Sequence, residues 1–168
     1  MSYLVGVAFT DRNFREIEQA FAKYKDYLDS IKQSLPPAAY GFASAPWHYN
    51  PHDHRCPHDS WVESVVVREK SSGSRHEIRN IELAVRLLGA YHDGHLELSY
   101  ISVVSYSFSS KQDSSGSNKG HGDWLVDEVR LSESNLVLHE IIFSSGSRWL
   151  IECQDIESAW IPLSSPAS

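Results

Sequence analysis

The sequence predicts an α+β fold, predominantly β, in which an antiparallel meander or half-barrel of about six to eight strands carries one N-terminal amphipathic helix packed on it. Two periodicities and the break between them predict it. Apolar residues recur at alternating three- and four-residue spacing from Phe14 to Leu35, which draws a helical stripe. From Trp61 onward they recur every second residue, the repeat of a half-buried strand. Between these regions, prolines at positions 36, 37, 46, 51 and 57 interrupt either period. At 168 residues the chain has the length of one domain, read here as 1–168, and can bury a continuous core without disulfides.

Residues 2–9 read as a short β-run, after which Thr10 or Asp11 caps the helix by accepting from its first-turn amides. The helix spans 11–35 and aligns Phe14, Ile17, Phe21, Tyr24, Leu28, Ile31 and Leu35 on one face. Pro36 and Pro37 end it. A stripe of this length beside a β-rich region buries itself against the sheet in preference to forming a coiled coil. Residues 36–60 are a Pro/His-rich loop in which regular structure is expected to be scarce. Structured loops of this length carry function more often than ordinary connections do.

The β region covers 61–160. Residues 62–68 are rich in Val, and Ile81, Leu83, Val85 and Leu87 alternate with Glu82, Ala84 and Arg86. Leu96, Leu98, Tyr100, Val104, Tyr106 and Phe108 keep one phase, interrupted at Ser102, where a bulge or burial on both faces is expected. Asp93 and Gly94 between these runs suit a tight hairpin turn, so the runs pair antiparallel. The Ser/Gly-rich segment 109–120 is read as a mobile loop. Runs at 124–131, 136–143 and 148–153 form a second meander. The tetrapeptide Ser-Ser-Gly-Ser begins at positions 71, 114 and 144 with unrelated flanks, so it reflects turn chemistry and not a repeat.

The balance of 15 Lys and Arg against 22 Asp and Glu gives a net charge of -7, a field that repels nucleic acid and anionic membranes and suits a basic protein or a cationic ligand as partner, although net acidity more often serves solubility alone. No apolar run approaches the length of a membrane span. The start of the chain does not read as an export signal, so the expectation is a cytoplasmic protein with Cys56 and Cys153 reduced. Cys153 alternates with Trp149 and Ile151 and reads as a small buried hydrophobe.

The segment from Trp47 to Asp59 concentrates His48, His52, His54, Cys56 and His58. On an extended backbone His52, His54, Cys56 and His58 project to one side, and imidazole with thiolate suits zinc. Zinc sites, however, usually separate ligand pairs by a loop, and prolines 51 and 57 break the alternation, so an exposed His-rich loop is the competing reading. His92, Asp93, His95, His121 and Asp123 stand at or beside turns and can reach the same end of the sheet. No nucleophile elbow, phosphate loop, dinucleotide fingerprint or His-Glu-x-x-His helix is present. Acidic residues crowd the final third, among them Asp127, Glu128 and Glu140. With Trp47 these are the candidate partner-binding residues, either a surface for a basic protein or a solvated strand face.

The run His-Asp-Ser-Trp-Val-Glu-Ser at 58–64, with Leu-Glu-Leu-Ser-Tyr-Ile-Ser-Val at 96–103, resembles small bacterial β-rich domains, some of which are similar to immunity proteins of polymorphic toxin systems. The resemblance covers 58–160 in pattern and implies an antiparallel sheet that binds a protein partner without catalysis. The functional expectation is a non-catalytic protein-binding module. The alternative is a metal-binding domain or metal-dependent enzyme built on His52, His54, Cys56 and His58 with zinc as the metal.

Overall fold

The computed structural model describes residues 2–7, 13–111 and 120–163. Among them the chain forms helices α1 (Phe14–Ile31) and α2 (Pro37–Ala43), then strands β1 (Trp61–Ser72), β2 (Ile78–Leu88), β3 (Gly94–Ile101), β4 (Ser105–Phe108), β5 (Trp124–Leu131), β6 (Val137–Phe143), β7 (Arg148–Cys153) and β8 (Asp155–Pro162). The strands make two four-stranded antiparallel sheets, ordered β1-β2-β3-β8 and β4-β7-β6-β5. The fold is α+β and predominantly β, as the two periodicities predict.

The sheets are joined at a corner. β3 continues into β4, and β7 into β8, so one antiparallel ribbon bends from the first sheet into the second. At the bend Gln154 donates to the Ile101 carbonyl (2.9 Å), and Val104 donates to the Glu152 carbonyl (2.8 Å). Ser102 takes a positive φ of 51° there. The interruption expected at Ser102 is therefore a change of sheet, which is why Tyr100 is buried while Val104 and Tyr106 are exposed. The opposite edges meet as well: Trp61 bridges Asp123, Asp59 donates to the Trp124 carbonyl (2.9 Å) and Trp124 donates to the Ser60 carbonyl (3.0 Å). This seam brings the start of β1 against the start of β5.

A single apolar core draws on both sheets and both helices, with Leu83, Leu98, Val129, Ile141, Trp149 and Phe42 among its members. α1 buries Ala20, Tyr24 and Leu28, and the stripe's first residue, Phe14, is left exposed. The helix also closes an edge. The Tyr24 hydroxyl accepts from the Val129 amide (2.7 Å) and donates to its carbonyl (3.0 Å), and the Tyr27 hydroxyl accepts from the Leu131 amide (3.0 Å). Backbone groups on the unpaired side of β5 thereby find partners that a bare edge strand would lack.

Four expectations need correction. Residues 2–7 form turns and no strand, because the amides of Tyr3, Leu4 and Val5 bond the Glu128 carboxylate instead of a ladder. α1 ends at Ile31, before Leu35: the Leu35 amide bonds the Ile31 carbonyl (3.1 Å), and Pro36 and Pro37 have no N–H to continue the ladder. The 36–60 segment is not devoid of regular structure. Pro37 occupies the first turn of α2, where a missing N–H costs nothing, and Asp155 of β8 accepts from the Ala39 amide (3.0 Å). In the β2–β3 hairpin His92 holds the positive φ (56°), while Gly94 opens β3 and is needed because a Cβ there would collide with the Trp160 indole. The expected cap at Thr10 or Asp11 lies outside the described residues, as do residues 112–119 of the expected mobile loop.

Candidate binding surface

The interior holds a polar cluster built from three regions of the chain. The register shift between Trp124 and Val126 puts Asp127 on the same face of β5 as Trp124 and Val129, turned into the core. There Asp127 Oδ1 accepts from the Trp124 indole (2.9 Å), Oδ2 from His139 Nε2 (2.8 Å), and both oxygens lie 2.9 and 3.1 Å from His48 Nε2. His48 Nδ1 sits 2.8 Å from the Phe42 carbonyl, which can only accept. The His48 ring thus faces an acceptor on both sides, a carbonyl at Nδ1 and a carboxylate at Nε2. His139 joins the cluster through both ring nitrogens, Nε2 to Asp127 Oδ2 and Nδ1 to the Tyr100 hydroxyl at 2.9 Å. Burial on its own would raise the Asp127 carboxyl. The charge of His48 and the bonds from His139 and His48 outweigh it and hold the carboxyl well below the usual carboxylate range.

A second buried set lies on the other face of β5. Glu128 Oε2 accepts from the amides of Tyr3 (2.9 Å), Leu4 (2.6 Å) and Val5 (3.4 Å), and Oε1 pairs with Arg130 at 2.8 Å. Arg130 and Arg148 both pair with Glu140, the residue opposite Glu128 on β6. The acidic meander expected as a solvated face or docking surface is thus internal at Asp127, Glu128 and Glu140, each at most 2% exposed. Their partners come from the N-terminal segment, from β7 and from the turns around His48. Trp47 is half-buried, lies against Phe42 and His48, and has the Arg55 guanidinium 5.6 Å from its ring centre.

The four residues proposed as zinc ligands do not converge. Among the described residues no group of three or more His, Cys, Asp and Glu side chains is placed to hold a metal ion. His52 is exposed, with its amide on the Asn50 side chain. His54 bonds Asp93 through Nδ1 and stacks on Tyr91 at 4.1 Å. The Cys56 thiol points inward to the His48 carbonyl (3.0 Å), and burial pushes it up to about 11. His58 Nδ1 bonds the Leu125 carbonyl at 2.8 Å. The turns of 45–59 send successive side chains in different directions, which the extended geometry assumed for the loop would not.

What does assemble is one exposed end of the molecule, at the seam. The Trp61 indole donates to Asp123 Oδ1 (2.8 Å) and meets the His92 ring edge-on at 4.6 Å. His92 precedes Asp93, whose carboxylate holds His54, and His54 covers one face of Tyr91. Trp61 and Tyr91 remain 49% and 48% exposed in spite of these contacts. Asp59 and Asp93 side chains are 64% and 47% exposed beside them. Of the turn residues expected at one end of the sheet, His92, Asp93 and Asp123 gather here. His95 turns instead to Glu63 (2.9 Å) and Arg86 (3.0 Å), and His121 packs on Phe143 and Trp149. Trp61 is one of five tryptophans placed by the sequence mostly at strand edges, any of which serves as a binding anchor if it stays exposed, whereas Tyr91 carries no such sequence reading, although an aromatic residue beside a turn carboxylate is a signal that sequence can give.

No protein-family model matches the chain, and neither a curated protein nor a solved structure matches it.

Proposed function

We propose that this protein is a non-catalytic binding module that recognises a basic segment of a partner protein through the end formed by Trp61, Tyr91, His92, Asp59, Asp93 and Asp123. The observation that carries the reading is the pairing of two half-exposed aromatic rings with adjacent exposed carboxylates. A Lys or Arg side chain is attracted both to an aromatic face and to a carboxylate, by about 0.5–1 kcal/mol per ring contact at exposed sites. The chain already makes one such contact, Arg55 over Trp47. The net charge of -7 steers a basic partner toward the molecule. The buried ionisable groups described above are engaged with one another, which supports a structural role for them and a binding role for the surface. The resemblance of 58–64 and 96–103 to immunity-type domains implies the same kind of activity.

The test is titration of the whole chain with an arginine- and lysine-rich peptide and with its glutamate-rich counterpart, at two salt concentrations. The expected result is saturable, salt-weakened binding of the basic peptide alone, reduced about tenfold by Trp61→Ala combined with Asp93→Asn. Equal affinity for the double variant, or no binding of the basic peptide at low salt, rejects the reading.

A further inference from the structure

Between α1 and α2 lies a cavity of about 450 Å³, within the range of about 300–1,000 Å³ that small-molecule sites occupy. Its walls are aromatic, with Phe21 and Tyr24 from α1, Tyr40 from α2 and Tyr49 from the turns that follow. The Tyr24 hydroxyl is committed to the Val129 backbone and the Tyr49 hydroxyl to the Asp127 carbonyl (3.1 Å), so these two residues line the cavity with their rings. Phe21 and Tyr49 meet edge-to-face at 5.2 Å, and Tyr24 and Tyr49 at 6.0 Å, an arrangement that fixes the walls.

Two charged residues of α1, Lys25 and Asp29, also line it. They are four residues apart, the spacing at which opposite charges on a helix usually pair. Here they do not. The Asp29 carboxylate takes the Tyr40 hydroxyl (3.2 Å), and Lys25 has no hydrogen-bonding or ionic partner among the described residues. An aromatic cavity therefore carries one cation and one anion that do not neutralise each other.

We propose that this cavity binds an apolar α-amino acid, its carboxylate on Lys25, its ammonium on Asp29 and its side chain among the rings of Phe21, Tyr24 and Tyr49. The signs of the charges decide the class. A simple carboxylic acid would satisfy Lys25 but meet Asp29 and the field of a chain of net charge -7. A simple amine would satisfy Asp29 but place its charge beside Lys25. A zwitterion answers both and carries no net charge, and aromatic walls favour an aromatic or large aliphatic side chain. The site shares no residue with the acidic end proposed to hold a basic partner, and the two proposals stand or fall separately.

Calorimetric titration of the whole chain with L-phenylalanine and L-tryptophan, beside 3-phenylpropionate and 2-phenylethylamine, tests it. The expected result is saturable binding of at least one amino acid, with each single-charge analogue at least tenfold weaker. Lys25→Gln and Asp29→Asn, at exposed positions of α1 where folding is retained, should each weaken amino-acid binding at least fivefold without moving the melting temperature of the free protein. The proposal is overturned if neither amino acid binds at millimolar concentration, if an analogue binds as tightly, or if both variants bind like the parent chain.

Discussion

His48 and Asp127, 79 residues apart, meet through His48 Nε2 and both carboxylate oxygens at 2.9 and 3.1 Å, and neither side chain is more than 2% exposed. The pair fastens the turns after α2 to β5. Removing one member leaves a buried charge without its partner, which costs far more than the pair itself contributes. Asp127→Ala should therefore destabilise the protein by about 3–5 kcal/mol, the cost of breaking a buried pair by removing one partner. His48→Ala strands the carboxylate in turn, though His139 and Trp124 still donate to it, so its cost should be smaller. Urea denaturation checks both, as a fall in the midpoint at unchanged slope.

The same carboxyl sets the acid limb of stability. Its folded value lies below the unfolded value of about 3.9, so its contribution is present above that value and is lost as pH falls through the folded one. Stability of the parent chain should hold above about pH 5 and then decline steeply toward pH 3. In Asp127→Asn, less stable at neutral pH, that decline should be shallower. Urea midpoints measured at intervals from pH 3 to 7 compare the two, and parallel profiles would remove Asp127 as the source.

Legibility followed the distance over which each feature is decided. The α1 stripe and the two meanders were readable because helix and strand periods are local, and seven of the eight strands overlap runs that alternate or are Val-rich. The corner at Ser102 was visible only as a broken phase, since the residues that close it, Gln154 and Glu152, belong to another ribbon strand. Asp127 could not be placed inside, because the single-residue register shift after Trp124 turns it from one face to the other. Glu128 and Glu140 looked like surface acids for a similar reason: their partners, the amides of residues 3–5 and Arg148, carry no local mark of the pairing.

Both thiols should be inert in the folded protein. Burial pushes Cys56 up to about 11 and Cys153 up to about 12, against about 8.5 for a free thiol. Each raised value contributes stability that is complete below about 8.5 and lost as pH rises through the folded value, so alkaline unfolding should set in above about pH 9. At pH 8 an aromatic disulfide reagent should modify neither cysteine until denaturant is added. Rapid modification of Cys56 in the native state would place its thiol at the surface and contradict its bond to the His48 carbonyl.

Glu128 holds the N-terminal segment in place. Three consecutive amides converge on its Oε2, and Leu4 is fully buried over it, so the carboxylate takes the part that a paired strand would play for residues 3–5. Glu128→Ala removes the acceptor for all three and one ion partner of Arg130, a loss expected to cost about 3–5 kcal/mol as the breaking of a buried pair. Glu128→Gln retains an acceptor oxygen for the amides while giving up the charge, and should fall between the two. Hydrogen exchange separates this local role from general destabilisation. In Glu128→Ala the amides of Tyr3, Leu4 and Val5 should lose protection at denaturant concentrations where β6 and β7 keep theirs, because the segment can detach while the sheet stays paired. Loss of protection at all these positions together would mean that Glu128 stabilises the whole fold and not the attachment of its first turn.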